Sequence, residues 1–141
     1  MPIHVYLSSS ESGVIYRVDP ELGRVGILNE KKVNPGAICI RPKYNQLIVA
    51  EPDFYRIIVF DLAEGVSPVR YRTLIDFYPE NVKPEDVAFD EQGYLYVSLG
   101  ARRQIWVFDL INAREVTKIT TTDFAGSLFR YEKDLFLGGG A

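Results

Sequence analysis

Apolar and polar positions along this chain fall into short blocks separated by turn-forming residues, with no sustained helical rhythm. LIVAE (47–51), RIIVFDL (56–62), LYVSL (95–99) and QIWVFDL (104–110) are almost continuously apolar. Blocks of that length, rich in branched and aromatic side chains, predict strands buried on both faces. REVTKIT (114–120) alternates polar with apolar, and VRYRT (69–73) carries two arginines. Both suit an outer edge strand that must resist pairing with another molecule. The turns between blocks fit hairpins: KYNQ, DEQGY and YEKD join one class of strands, and DPELG, DLAEG and DLINAR another. Asn, Asp and Gly supply the required backbone conformations.

The blocks repeat. Five of the six residues in IIVFDL and IWVFDL are identical, 48 positions apart. Nine residues before Ile57 and Ile105 stand Ile48 and Tyr96, and Tyr6 stands nine before Ile15 in the N-terminal copy, IYRVD. PGAICIRP (35–42), PEDVAFD (84–90) and AGSLFRY (125–131) supply a further strand ahead of the later copies. The unit therefore reads as four antiparallel strands, A to D, in repeats of about 1–34, 35–83, 84–124 and an incomplete 125–141. Its 42- to 48-residue period is that of propeller blades. Four strands with buried inner members and a polar outer one predict an all-β, β-propeller-like fold of about three four-stranded antiparallel blades plus the start of a fourth.

PEDVAFDEQGYLYVSLGARRQIWVFD resembles the NHL repeat, and PGAICIRPKYNQLIVAEPDFYRIIVFD is similar to it. VYLSSSESGVIYRVDPELGRV is closer to the related YVTN-type repeat. The resemblance implies a six- or seven-bladed propeller, of which this chain supplies about three blades. Such repeats serve scaffolds, lactonases, lyases and receptors alike, so they imply a fold before a function. Three blades do not close a ring; either the chain is part of a longer protein or copies associate to complete one.

Composition narrows the functions. The net charge of −3 lacks the basic excess that displaces counterions from nucleic acid, so a nucleic-acid partner is not expected. No apolar run is long enough to span a membrane, and the N-terminus has no basic, apolar signal pattern. One cysteine excludes an intramolecular disulfide and points to the cytoplasm.

Candidate chemistry is sparse. His4 is the only histidine, which leaves no pair for a histidine-based lyase of the virginiamycin-inactivating type. Cys39 lies mid-strand among apolar residues and reads as a buried structural thiol. Asp19, Asp61 and Asp109 recur once per repeat at the same turn, which predicts turn capping. Glu51, Glu85 and Asp86, with Asp53 nearby, are placed by the repeat near the mouth of a central channel. Gluconolactonase-like propellers hold a divalent cation there, and the resemblance implies Ca²⁺ or a similar ion. Such an ion wants six to eight oxygens, and the matching place in the second repeat offers only Gly36 and Ala37. Tyr55, Arg56, Arg102 and Arg103 stand in B-to-C loops, where charged and aromatic side chains on a rigid scaffold form binding surfaces. The reading is a non-enzymatic module that recognises a protein, peptide or small ligand through its loop face. The alternative is part of a metal-dependent, lactonase-like hydrolase.

Overall fold

A computed structural model describes residues 4–62, 68–112, 114–121, 125–131 and 134–139. Among the described residues all regular elements are strands, apart from three single turns of 3₁₀ helix. The first sheet holds β1 (Val5–Ser9), β2 (Val14–Asp19) and β3 (Arg24–Ile27) in that order. The second holds β4 (Ala37–Arg41), β5 (Gln46–Glu51), β6 (Arg56–Asp61) and β7 (Tyr71–Asp76). The third holds β8 (Asp86–Phe89), β9 (Tyr94–Leu99), β10 (Gln104–Asp109) and β11 (Arg114–Thr120), and β12 (Ala125–Tyr131) pairs with β13 (Asp134–Gly139). Every neighbouring pair is antiparallel. These are the A-to-D blades the repeat predicts, with strand A innermost: β8 packs against both β4 and β12.

The blades stack through their faces. Ile15 and Tyr6 of the first blade meet Leu47, Val49, Ile58 and Phe60 of the second. The opposite face of the second, with Ile48, Ala50, Ile57 and Val59, meets Leu95, Val97, Leu99 and Trp106 of the third. Ala88 and Ile105 on the third blade's far face enclose Leu128 of the β12–β13 hairpin. Strict alternation along β5 and β6 thus sends every apolar side chain into one interface or the other, which is why these strands read as unbroken apolar runs. The outer strand β11 is exposed throughout.

The turns follow the predicted chemistry. Asp19 Oδ1 accepts the Glu21 and Leu22 amides at 3.0 and 3.1 Å. Asp109 Oδ1 accepts those of Ile111 and Asn112 at 3.0 and 3.2 Å. The turn after Asp61 lies largely outside the described residues; Asp61 itself accepts the Gln46 side-chain amide at 2.9 Å. The centre of the YEKD turn and the last two residues of GGGA also lie outside them.

A device absent from the sequence reading seals the first blade. Buried Asn29 accepts the Ile15 amide at 2.9 Å and donates to the Gly13 and Lys31 carbonyls at 3.0 and 2.7 Å. It pins the D-to-A connection against the β1–β2 turn, satisfying backbone groups that burial would otherwise leave open.

Candidate functional site

Two kinds of connection meet on one face: the B-to-C turns and the D-to-A crossings. Each B-to-C turn of the second and third blades is one 3₁₀ turn, Pro52–Phe54 or Gly100–Arg102. Each is closed by a residue in the left-handed region, Tyr55 at φ 54° and Arg103 at φ 54°. The chain can then reverse into the next strand within four residues.

Between these two turns, beneath the 77–85 crossing, lies an open cleft of about 310 Å³. Tyr55 and Arg102 come from neighbouring blades, and Asn81, Val82, Lys83, Glu85, Leu99 and Ala101 complete its walls. Val82 and Leu99 are buried and give the cleft an apolar floor. The Tyr55 ring meets Tyr78 edge-on at 5.6 Å, and Lys83 Nζ stands 5.8 Å from its centroid. Arg102 donates to the Glu80 carbonyl at 3.0 Å, which ties the third-blade turn to the crossing. Lys83 reaches Asp53 at 3.5 Å, an exposed pair of small energetic weight.

Of the loop residues singled out in the sequence, Tyr55 and Arg102 meet here, and the other two do not. Arg56 is turned toward its own blade: Nε donates to Glu51 at 2.6 Å and a terminal nitrogen to the Tyr71 hydroxyl at 3.4 Å. Desolvation lowers its pKa, but the hydrogen bond and charge of Glu51 outweigh that and hold it above the usual value. Arg103 is exposed, and its backbone carbonyl accepts the Thr121 amide at 2.8 Å. Asn81, Val82 and Lys83 were not legible as site residues. The available signal is that NVKPED is a D-to-A crossing and so emerges on the same face.

The three candidate metal carboxylates are dispersed. Glu51 is fully buried; Arg56 occupies Oε1, and the Asn34 amide donates to Oε2 at 2.8 Å. Asp86 is half-buried, with Oδ1 taken by the Val87 amide at 2.8 Å and Oδ2 by that of Leu128 at 2.7 Å. Desolvation raises the Asp86 pKa, and these two hydrogen bonds only partly oppose it. Glu85 stands in the cleft wall. Among the described residues no three His, Cys, Asp or Glu side chains form a group able to hold a metal ion. The second blade cannot add a carboxylate at the place equivalent to Glu85, because a Cβ on Gly36 would lie 2.8 Å from the Pro52 ring. The described residues therefore do not fit a divalent-cation site.

Cys39 lies on the wall formed by the inner strands, beside Asp86, Ala88 and Leu128. Cys39 is half-buried rather than enclosed, and desolvation first and the Asp86 charge second push its thiol up to about 12 against the pull of Arg41, which disfavours the thiolate at neutral pH. His4 is exposed. Ser9 Oγ accepts the Ser12 amide at 3.3 Å, which makes the serine run the first blade's B-to-C turn.

Comparison with known proteins agrees with this architecture. No curated protein sequence shows significant similarity to the chain. A solved structure titled as a putative gluconolactonase superposes with a TM-score of 0.73 at 16% identity, covering 89% of this chain and 42% of that one. Luciferin-regenerating enzyme gives 0.69 at 15% identity, with 82% and 39% covered. A chain from a nidogen/laminin complex gives 0.66 at 15% identity, with 84% and 43% covered. At such identities the likeness shows the fold alone, and the chain spans about two-fifths of the length of each structure. The family model described as SMP-30/Gluconolactonase/LRE-like region matches residues 5–127, nearly the whole of the blade array, and the chain belongs to that family.

Proposed function

We propose that this propeller segment is a binding module, and that the cleft between the second and third blades takes a small carboxylate with an apolar body. The observation that carries this reading is the cleft's composition: an apolar floor of Val82 and Leu99, the Tyr55 ring, and walls in which cationic Lys83 and Arg102 outnumber the single carboxylate of Glu85, with Lys83 also reaching Asp53 outside the lining. An apolar concavity with a few polar groups is the usual form of a small-molecule site. The Arg102 guanidinium offers a planar fork that matches a carboxylate. Binding here needs no metal, because Glu51 is committed to Arg56 and the Asp86 oxygens to backbone amides.

Titration of benzoate into isotopically labelled protein, followed through backbone amide shifts in the presence of a chelator, tests the reading. Shifts clustered at residues 55, 81–85 and 99–102, and abolished in Arg102→Ala, are expected. Shifts scattered over the surface, or unchanged in that variant, contradict it.

A second reading is favoured by the family match over residues 5–127 and by the putative gluconolactonase among similar structures. In it the segment is part of a lactone hydrolase whose ligand set is completed outside the described residues. Hydrolysis of gluconolactone that is lost with a chelator and restored by Ca²⁺ or Mn²⁺ is its signature. The NHL and YVTN character of the blades rests on the sequence motifs alone and is compatible with both readings.

A further inference from the structure

The A-to-B turns lie at the opposite end of the blades from the cleft of Tyr55 and Arg102. Alternation along β4 sends Ile38 and Ile40 toward the first blade and Ala37 and Cys39 toward the third. Arg41 continues the second series, so its side chain enters the seam between the second and third blades. A cleft of about 220 Å³ opens there, walled by Arg41, Pro42, Lys43 and Tyr44 of one blade and faced by Phe89 of the next. Arg41 is only 7% exposed. Of the three charged side chains buried among the described residues, Glu51 pairs with Arg56 and Asp109 with Arg114, but no described carboxylate pairs with Arg41. Its Nη1 donates to Gln46 Oε1 at 2.9 Å, and its guanidinium carbon lies 4.1 Å from the Tyr44 ring centroid. Desolvation lowers its pKa, with Tyr44 and Cys39 pulling the other way, whereas Glu51 holds that of Arg56 up. A buried charge with no counter-charge is costly. The turn supplies no reason for it. The strand registers align Arg41 with Asp90 of the third blade. Asp90 closes its own turn: Oδ1 accepts the Gln92 and Tyr94 amides at 2.9 and 3.0 Å, and Oδ2 the Tyr96 hydroxyl at 2.8 Å. The second-blade turn closes through Pro42–Tyr44 and left-handed Asn45, with no side-chain cap from Arg41.

We infer that this cleft binds a small phosphate monoester with a flat apolar body, its phosphate held by Arg41 and Lys43 and its body lying against Phe89 and Pro42. The guanidinium, pre-positioned by Gln46 and the Tyr44 ring, offers a planar fork to two phosphate oxygens. Lys43 is exposed, stands 5.8 Å from the same ring centroid and forms no ion pair with a described carboxylate, so it adds a point charge. Two cations without described counter-charges match the charge of a phosphate monoester, about −1.5 to −2 at pH 7, better than the single charge of a carboxylate. The loop-face cleft differs in this respect, since Asp53 there already holds Lys83. Asp90 and Glu91 also line the cleft, and their charges oppose an anion. Neither forms an ion pair with Arg41; Asp90 is spent on its own turn, and Glu91 is exposed. Both blades that build the site carry their four strands within the described residues.

The test is a titration of phenyl phosphate into isotopically labelled protein at neutral pH, followed through backbone amide shifts, for the wild type, Arg41→Met and Lys43→Gln. Circular dichroism checks the fold of both variants. Saturable shifts at residues 41–46 and 89–94 are expected in the wild type. Arg41→Met is expected to weaken binding about tenfold or more, as the loss of a charge-assisted hydrogen bond does. Lys43 is on the surface, so Lys43→Gln leaves the fold intact and is expected to weaken binding several-fold. Inorganic phosphate is expected to move the same amides with lower affinity, and benzoate to move them less than phenyl phosphate does. Shifts spread over the surface, or an affinity unchanged in Lys43→Gln or in folded Arg41→Met, overturn the site. Benzoate shifts equal to those of phenyl phosphate overturn the phosphate assignment.

Discussion

Arg56 Nε lies 2.6 Å from Glu51 Oε1, directly across the β5–β6 ladder. Glu51 is fully buried, and the Arg56 side chain is 27% exposed. The pair spans the base of the turn that presents Tyr55 to the cleft. Arg56 and the Asn34 amide together give both oxygens of this buried carboxylate a donor.

Arg56→Ala leaves the Glu51 charge in the core with only the Asn34 amide for company. Removing one partner of a buried ion pair costs about 3–5 kcal/mol, and the partial exposure of Arg56 places this case near the lower bound. Urea denaturation is expected to show that loss, with part of it recovered in Arg56→Ala/Glu51→Gln. Equal stability of Arg56→Ala and wild type contradicts the assignment.

The Cys39 thiol, pushed up to about 12, is expected to react very slowly with a disulfide reagent at neutral pH in the native protein. In denaturant, one equivalent reacts promptly. Because Cys39 is only half-buried, fast native labelling means that the raised thiol pKa, and not access, has been misassigned.

Asp86 and Asp109 predict opposite dependences of stability on pH. The Asn112 side-chain amide chiefly lowers the Asp109 pKa, followed by backbone amides and Arg114. Its contribution is present above the unfolded value, near 3.8, and disappears as pH falls through the lower folded value. Burial raises the Asp86 pKa, so the unfolded chain gives up this proton first as pH rises. Stability from Asp86 then declines between 3.8 and the higher folded value and levels off above it. Denaturation midpoints measured against pH are expected to show the acid loss reduced in Asp109→Asn. The difference between wild type and Asp86→Asn is expected to fall as pH rises through that window. Parallel pH profiles for all three proteins contradict both shifts.

Arg103 holds φ 54° with an exposed side chain. A residue with a Cβ costs roughly 1–2 kcal/mol in that region, and glycine does not. Arg103→Gly is therefore expected to raise thermal stability, less the added freedom of glycine in the unfolded chain. A lowered melting temperature means that the Arg103 side chain holds the third-blade turn in place.

The blades were legible because β5, β6, β9 and β10 are buried between sheets, and burial on both faces writes itself as an apolar run. The turn aspartates were legible for a local reason, since Asp19 and Asp109 bond to amides two and three residues on. The cleft was only half legible. Tyr55 and Arg102 stand out on short turns, but Lys83 and Val82 reach them through the path of a crossing that no local pattern specifies. For Glu51 the sequence showed a carboxylate ending an apolar strand, and its bond to Arg56 emerges only when the B and C strands are set in register.

The most direct measurement is the benzoate titration performed twice on the same labelled protein, once with a chelator and once with Ca²⁺. The account predicts the same amide shifts in both, centred on Tyr55, Lys83 and Arg102. Shifts that arise only with Ca²⁺, or that centre on Glu51 and Asp86, contradict it.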